Sequence, residues 1–143
     1  TDSGFWLGLC DKKDQYHEKS KKIFEQIKYH NLYLPWPVLY EVLRTKFIKN
    51  NLLIKTFESY LKVRNLKLEF LSDLEFRNLA YNNVLSIIKE RKRTFSLVDA
   101  VIREMLAEEK LVIHYLITFN TGDFADICKR RNITLVNNPV SFT

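Results

Sequence analysis

Apolar positions recur at two different spacings along the chain, and these spacings alternate between helical and strand-like segments. Three-and-four spacing predicts helices that begin near Gly4, Asp14, Val38, Leu52, Phe76, Ser96 and Phe124. Short apolar runs predict strands at 32–34, 66–71, 112–118 and 133–136. Because helices alternate with strands, we expect a parallel sheet covered on both faces, with the ligand site outside the carboxyl ends of the strands.

Residues 1–143 are predicted to form one domain, because three glycines and three prolines leave no linker-like stretch. The segment from Gly4 is predicted to be helical, so no strand stands before Asp2. A parallel sheet of this kind needs a strand there. We therefore expect that a first strand precedes Thr1 in the native protein; the alternative is that Asp2 belongs to a tail.

Composition narrows the class of protein. A hydrophobic content of 46% is ample for a packed core, and the net charge of +6 favours an anionic partner, of which nucleic acid is the natural candidate. The two cysteines, Cys10 and Cys128, have no metal-knuckle spacing, so we interpret them as free thiols in a reducing compartment. With no apolar run of membrane-spanning length and no leader pattern, a cytoplasmic protein without a membrane partner is expected.

Four acidic residues stand beside apolar segments that would carry them to the end of a strand or the start of a helix. They are Asp2, Glu41, Asp99 and Asp123. Carboxylates gathered in one cleft repel each other unless some are protonated or a cation lies between them. A hard divalent cation, completed by substrate phosphates, is the usual solution, and this predicts a metal-dependent nuclease.

Each acidic residue also has a structural interpretation. Asp2 has the position of a helix cap, and Glu41 could pair with Arg44 or Lys46 on its own helix. Asp99 stands at capping-box spacing from Ser96, although the same geometry aims it out of a helix N-terminus. Asp123 follows Asn120 in a segment with turn composition. These alternatives stay open for each residue taken alone.

Four motifs in this order resemble those of PIN-domain nucleases, a family that includes the VapC-type toxins. They are Asp-Ser before an aromatic-apolar helix, P-V-L-Y-E-V-L around Glu41, S-L-V-D-A around Asp99, and T-F-N-T-G-D-F at 118–124. The resemblance covers nearly the whole chain. It implies a three-layer α/β/α sandwich with a mainly parallel, roughly five-stranded Rossmann-like sheet, and RNA cleavage that depends on Mg²⁺ or Mn²⁺.

The resemblance also implies roles for particular residues. Asp2, Glu41 and Asp99 match the family's metal-binding and catalytic carboxylates. The fourth acidic position holds Asn120 in place of the common Asp, so Asp123 is the expected fourth acid. Asn120 and Thr118 would then orient metal or water. A VapC-type toxin would further form a homodimer and bind a cognate antitoxin.

RNA-binding residues are expected in basic segments, namely Arg44 and the run Arg91, Lys92 and Arg93. An ion pair for Arg44 and a solvated helix face for the basic run remain alternatives. Trp36 is interpreted as a loop or core anchor. A second hypothesis, motivated by Asn120 and by the absence of a predicted strand before Asp2, is a PIN-like module that binds RNA or protein without cutting. A phosphotransferase is disfavoured, since three glycines provide no glycine-rich phosphate loop.

Overall fold

The computed structural model of the protein describes residues 1–89 and 95–140. Within these ranges the chain forms eight helices and four strands. In chain order they are α1 Ser3–Cys10, α2 His17–Ile27, β1 Asn31–Pro35, α3 Trp36–Val42, α4 Thr45–Ile48, α5 Asn51–Leu61, β2 Lys67–Leu71, α6 Arg77–Lys89, α7 Leu97–Ala107, β3 Tyr115–Ile117, α8 Thr121–Arg131 and β4 Thr134–Val136. The predicted alternation of helices with short strands is confirmed.

Polar side chains begin three of the helices by accepting hydrogen bonds from backbone N–H groups that have no partner within the helix. Asp2 caps α1, Asn50 caps α5 and Ser96 caps α7. The helix predicted to begin near Asp14 begins at His17, and Tyr16, not Asp14, occupies its cap position. The Asp14 carboxylate instead accepts the Tyr16 N–H (2.7 Å) in the preceding turn.

Two predicted elements differ from the observed ones in length. The helix predicted to begin near Val38 is divided into α3 and α4, because Arg44 has extended backbone angles (φ −66°, ψ 162°). The strand expected at 112–118 is reduced to β3, Tyr115–Ile117. Periodicity alone did not indicate either change, since the apolar pattern continues across both.

The predicted five-stranded, Rossmann-like sheet of a three-layer sandwich is wrong. In the described parts of the chain, β1 pairs with β2 and β3 pairs with β4, giving two separate two-stranded sheets. Both pairs are parallel, with Asn31 opposite Lys67 and Tyr115 opposite Thr134. The sheets remain separate because β1 and β3 lie on opposite sides of a groove instead of bonding to each other.

The main hydrophobic core surrounds α1 and joins it to the strands and to α2, α3, α5, α7 and α8. Its largest fully buried side chains include Phe5, Trp6, Phe24 and Phe124. A smaller core between α6 and α7 contains Ala80, Ala100, Val101 and Met105. Among the described helices, none is long and apolar enough to cross a membrane.

Candidate acidic site

Asp2 lies between the two sheets, where both its backbone and its side chain are bonded. Its N–H donates to the Ile117 carbonyl (3.0 Å), which ties it to the end of β3. One carboxylate oxygen accepts the Ser3 N–H (2.6 Å) and the other accepts the Thr118 hydroxyl (2.7 Å). Asp2 is 6% exposed, so it is a buried helix cap and not a tail residue.

Glu41 approaches Asp2 from α3 through a serine. The Ser3 hydroxyl donates to Glu41 Oε2 (2.6 Å) and also lies 3.4 Å from Asp2 Oδ1. Glu41 is half-buried, and this burial raises its pKa, while the bond from Ser3 and the charge of Arg44 act in the opposite direction. The structure therefore links the first two predicted site residues through one hydroxyl group.

Asp99 and Asp123 occupy the first turns of α7 and α8. Ser96 Oγ donates to Asp99 Oδ2 (2.7 Å) and accepts the Asp99 N–H (3.0 Å), so the capping interaction expected from the sequence is present. Asn120 Nδ2 donates to Asp123 Oδ2. Both carboxylates are thus held by a polar residue three positions earlier in the chain.

The four carboxylates form one electrostatic group. Burial is the main cause that raises the pKa of Glu41, and the charges of Asp2 and Asp99 raise it further. Burial also raises the pKa of Asp99, with further contributions from Asp2 and Asp123. Asp99 therefore interacts electrostatically with Asp2, with Asp123 and with Glu41. The fold brings together residues that lie far apart in the sequence.

Carboxylates that share a metal ion must lie closer together than carboxylates that only repel each other. Across residues 1–89 and 95–140, no three His, Cys, Asp or Glu side chains are grouped so as to hold a metal ion. Each acid is instead bonded to a local donor, as described above. The donor set is composed of carboxylate, hydroxyl and amide oxygens, which fits a hard cation such as Mg²⁺ or Mn²⁺. The role of the four acids as metal ligands stays a prediction.

Thr118 and Asn120, the predicted orienting residues, contact the acids themselves. Thr118 is fully buried; its hydroxyl donates to Asp2 and accepts the Asn120 N–H (3.0 Å). Asn120 in turn donates to Asp123. This chain of bonds connects the end of β3 to the start of α8 and therefore couples the positions of Asp2 and Asp123.

Two contributors were missed from the sequence. Ser3 bridges Asp2 and Glu41, and its place directly after the first acid was the available signal. Arg103 forms a bidentate pair with Asp126 and donates to the Asp123 carbonyl, which fixes the start of α8. Arg103 stands four residues after Asp99 on α7, so helical spacing could have indicated that the two side chains share one face of this helix.

The expected RNA-binding residues have different outcomes. Arg44 is exposed, and its positive charge partly opposes the rise in the pKa of Glu41. Arg91, Lys92 and Arg93 lie outside the described residues. Trp36 is not a core anchor, because 44% of it is exposed, and its ring lies 6.1 Å from that of Tyr40 and 6.0 Å from that of Phe70. An exposed aromatic group therefore lies on α3, the helix that carries Glu41.

No protein-family model matches the sequence, and neither the curated proteins nor the solved structures contain a significant match to the chain. The resemblance to PIN-domain nucleases accordingly depends on the four sequence motifs alone.

Proposed function

We propose that the protein is a divalent-metal-dependent endoribonuclease that hydrolyses phosphodiester bonds at the Asp2, Glu41, Asp99 and Asp123 group. The observation that carries the proposal is the series of hydrogen bonds that joins three of these acids, from Asp123 through Asn120 and Thr118 to Asp2 and through Ser3 to Glu41. The charges of Asp2 and Asp123 also raise the pKa of Asp99, which places the fourth acid near them. Repulsion within such a group is relieved by a bound cation, and a phosphodiester supplies further oxygen ligands. The net charge of +6 is complementary to RNA.

The chain's own residues would divide the work in this reaction. Asp2 and Glu41, held by Thr118 and Ser3, would supply oxygen ligands from fixed positions. Mg²⁺ or Mn²⁺, when bound, lowers the pKa of a water ligand and neutralises charge on the scissile phosphate. Asp99 or Asp123 would orient the attacking water, and Arg44 would contact the RNA backbone.

A second candidate function is an RNA- or protein-binding module without cleavage. The observation that favours it is the lack, among the described residues, of three acidic, His or Cys side chains grouped for a metal ion. In that case the acids have structural roles as caps and hydrogen-bond acceptors. Salt-sensitive RNA binding without cleavage, under Mg²⁺ and under Mn²⁺, would support this second function over the first.

Cleavage of single-stranded RNA with and without Mn²⁺ tests the proposal. We expect cleavage that stops with chelator and decreases by roughly 10²-fold or more in Asp99→Asn. Glu18→Gln is the matched control, because Glu18 is a carboxylate on α2 whose side chain is 74% exposed. Cleavage that persists in Asp99→Asn, or that ignores the chelator, would contradict the proposal.

A toxin role requires partners as well as cleavage. The family resemblance leads us to propose a homodimer and a cognate antitoxin that blocks the acidic group. Gel filtration of the natively expressed protein is the test. A mass equal to one chain, with no inhibitory partner that co-purifies, would contradict the toxin role and leave the nuclease proposal intact.

A further inference from the structure

Three aromatic rings form an exposed cluster beside the carboxyl ends of β1 and β2, and we call this cluster the aromatic platform. Trp36 begins α3 directly after β1, Tyr40 follows one helical turn later, and Phe70 lies in β2 opposite Leu34. The Trp36 ring contacts both of the others. The three residues are 44%, 59% and 45% exposed. Because large aromatic side chains are mostly buried, three that are exposed together indicate a binding surface.

The rings of the platform keep their faces open. The plane of Trp36 is tilted by 37° from that of Tyr40 and by 36° from that of Phe70, so the rings do not stack on one another. Tyr16 and Phe119 differ in this respect, since their rings are stacked at 4.1 Å and 11° and cover each other. An open aromatic face can stack on a flat ligand such as a nucleic-acid base.

The platform adjoins the acidic site. Tyr40 directly precedes Glu41 in α3, and Ser3 connects Glu41 to Asp2. A base that stacks on Tyr40 is therefore held within one residue of a site carboxylate. Trp36 and Phe70 continue the platform from Tyr40 to β2.

The charges next to the platform are complementary to phosphate. No acidic residue lies between Glu41 and Glu58. The exposed basic residues that follow α3 are Arg44, Lys46 and Lys49. Glu69 precedes Phe70 in β2 but is directed to the other face of the strand, because successive side chains alternate. Aromatic faces beside cations are the combination by which proteins bind single-stranded nucleic acid.

We propose that the aromatic platform binds unpaired bases of single-stranded RNA and thereby holds the adjoining phosphate at the acidic site. This inference rests on the proposed function, because it assigns the bases of the same substrate. Bases offer their faces only where they are unstacked from a helix, so duplex RNA does not bind the platform. Every base has an aromatic face, so the platform selects unpaired RNA without selecting one base.

Tryptophan fluorescence in a titration with single-stranded oligouridylate tests the proposal, with chelator present to prevent metal-dependent cleavage. The chain has two tryptophans, of which Trp6 is fully buried and Trp36 is exposed. We expect the RNA to quench the emission of Trp36. Trp36→Leu should abolish this quenching and leave the emission of Trp6. A blunt duplex of oligouridylate with oligoadenylate should not quench the wild type.

Two substitutions remove a ring and keep an apolar side chain, namely Tyr40→Leu and Phe70→Leu. Each should weaken binding of the single strand by roughly 5-fold or more, because a stacking face is lost. Tyr40 is the more exposed of the two, so Tyr40→Leu preserves the test if Phe70→Leu fails to fold. Tyr29→Leu is the matched control and should bind like the wild type. Tyr29 is 66% exposed and precedes β1, at the opposite end of that strand from Trp36.

The proposal would be overturned by an unchanged RNA affinity of Tyr40→Leu, by the absence of quenching, or by equal quenching with the duplex. It would also be overturned if the wild type self-associates through these rings, which Tyr40→Leu would abolish without any change in RNA affinity. The platform and the nuclease fail separately. Cleavage with Mn²⁺ and an RNA affinity that ignores Tyr40→Leu contradict only the platform, whereas ring-dependent binding without cleavage contradicts only the nuclease.

Discussion

The Thr118 hydroxyl lies between two polar groups that depend on it. It donates to Asp2 Oδ2 and accepts the Asn120 N–H, in a fully buried position. Thr118→Val keeps the shape of the side chain and removes both bonds. We expect the free energy of unfolding to decrease by about 1–3 kcal/mol, since buried polar groups lose their partners.

Thr118→Ser is the matched control for this change, because it retains the hydroxyl. Urea unfolding of the three proteins measures the effect. A Val variant as stable as the wild type and more stable than the Ser variant would mean that the hydroxyl does not hold Asp2.

The ion pair between Arg103 and Asp126 predicts a pH-dependent contribution to stability. The hydrogen bonds from Arg103 lower the pKa of Asp126 from 3.8 to about 2. A lowered carboxylate pKa contributes stability that is present above the unfolded-state pKa and is lost as pH falls through the folded-state value. The stability that this ion pair contributes is therefore lost as the pH falls from about 4 to about 2.

Asp126→Asn should remove this contribution. We expect a loss of about 1 kcal/mol at pH 6, since an exposed carboxylate is screened by solvent. The difference from wild type should shrink as the pH falls below 4. Thermal unfolding at several pH values measures this difference in stability. A difference that grows on acidification would contradict a stabilising ion pair between Arg103 and Asp126.

At the scale of elements, the crossing of α1 and α2 depends on Gly8. A Cβ atom added there would lie 2.7 Å from Ser20 Oγ and 3.2 Å from Tyr16 Cβ. Gly8→Ala must therefore move the Ser20 hydroxyl or shift Tyr16 at the start of α2, and we expect it to reduce the free energy of unfolding by about 1–3 kcal/mol.

Gly4 provides a control on the same helix. A Cβ atom at Gly4 would meet Phe119 Cδ2 at 3.8 Å and Asp2 Oδ2 at 4.0 Å, which are ordinary contacts. Gly4→Ala should leave the melting temperature unchanged or slightly higher, because Ala favours helix formation. Equal effects of the two substitutions would show that the packing of α1 against α2 is not close at Gly8.

The sequence predicted the elements better than their assembly. Three-and-four spacing predicted the helix that begins near Ser96, and the apolar residues at that spacing in α7, Val101, Ile102, Met105 and Leu106, are buried. It did not predict two separate sheets, because the pairing of β1 with β3 depends on the distance between them and not on the apolar pattern within either. The acids Asp2 and Glu41 were predicted, whereas the bridge through Ser3 required three-dimensional geometry.

At the scale of the whole molecule, three of the four acids stand at helix N-termini. Asp2 caps α1, and Asp99 and Asp123 occupy the first turns of α7 and α8. Partial positive charge at helix N-termini stabilises carboxylates, and this opposes the repulsion among them. The fold thus tolerates an acidic group within a basic protein.

The basic surface predicts that RNA affinity decreases with salt. For single-stranded RNA, each neutralised phosphate contributes about −0.7 to the slope of log K against log salt. Arg44→Ala should therefore reduce the slope by about 0.7. Lys62→Ala is the control, since Lys62 pairs with Glu58 on α5 (2.5 Å). Identical slopes for Arg44→Ala and wild type would exclude Arg44 from the RNA-binding surface.

The central claim is that the four acids act together as one cation site, and a Mn²⁺ binding isotherm measured by calorimetry tests it most directly. We expect saturable binding by wild type, binding at least 10-fold weaker for Asp99→Asn, and an unchanged isotherm for the exposed control Glu18→Gln. Equal isotherms for all three proteins, or no binding by wild type, would contradict the claim.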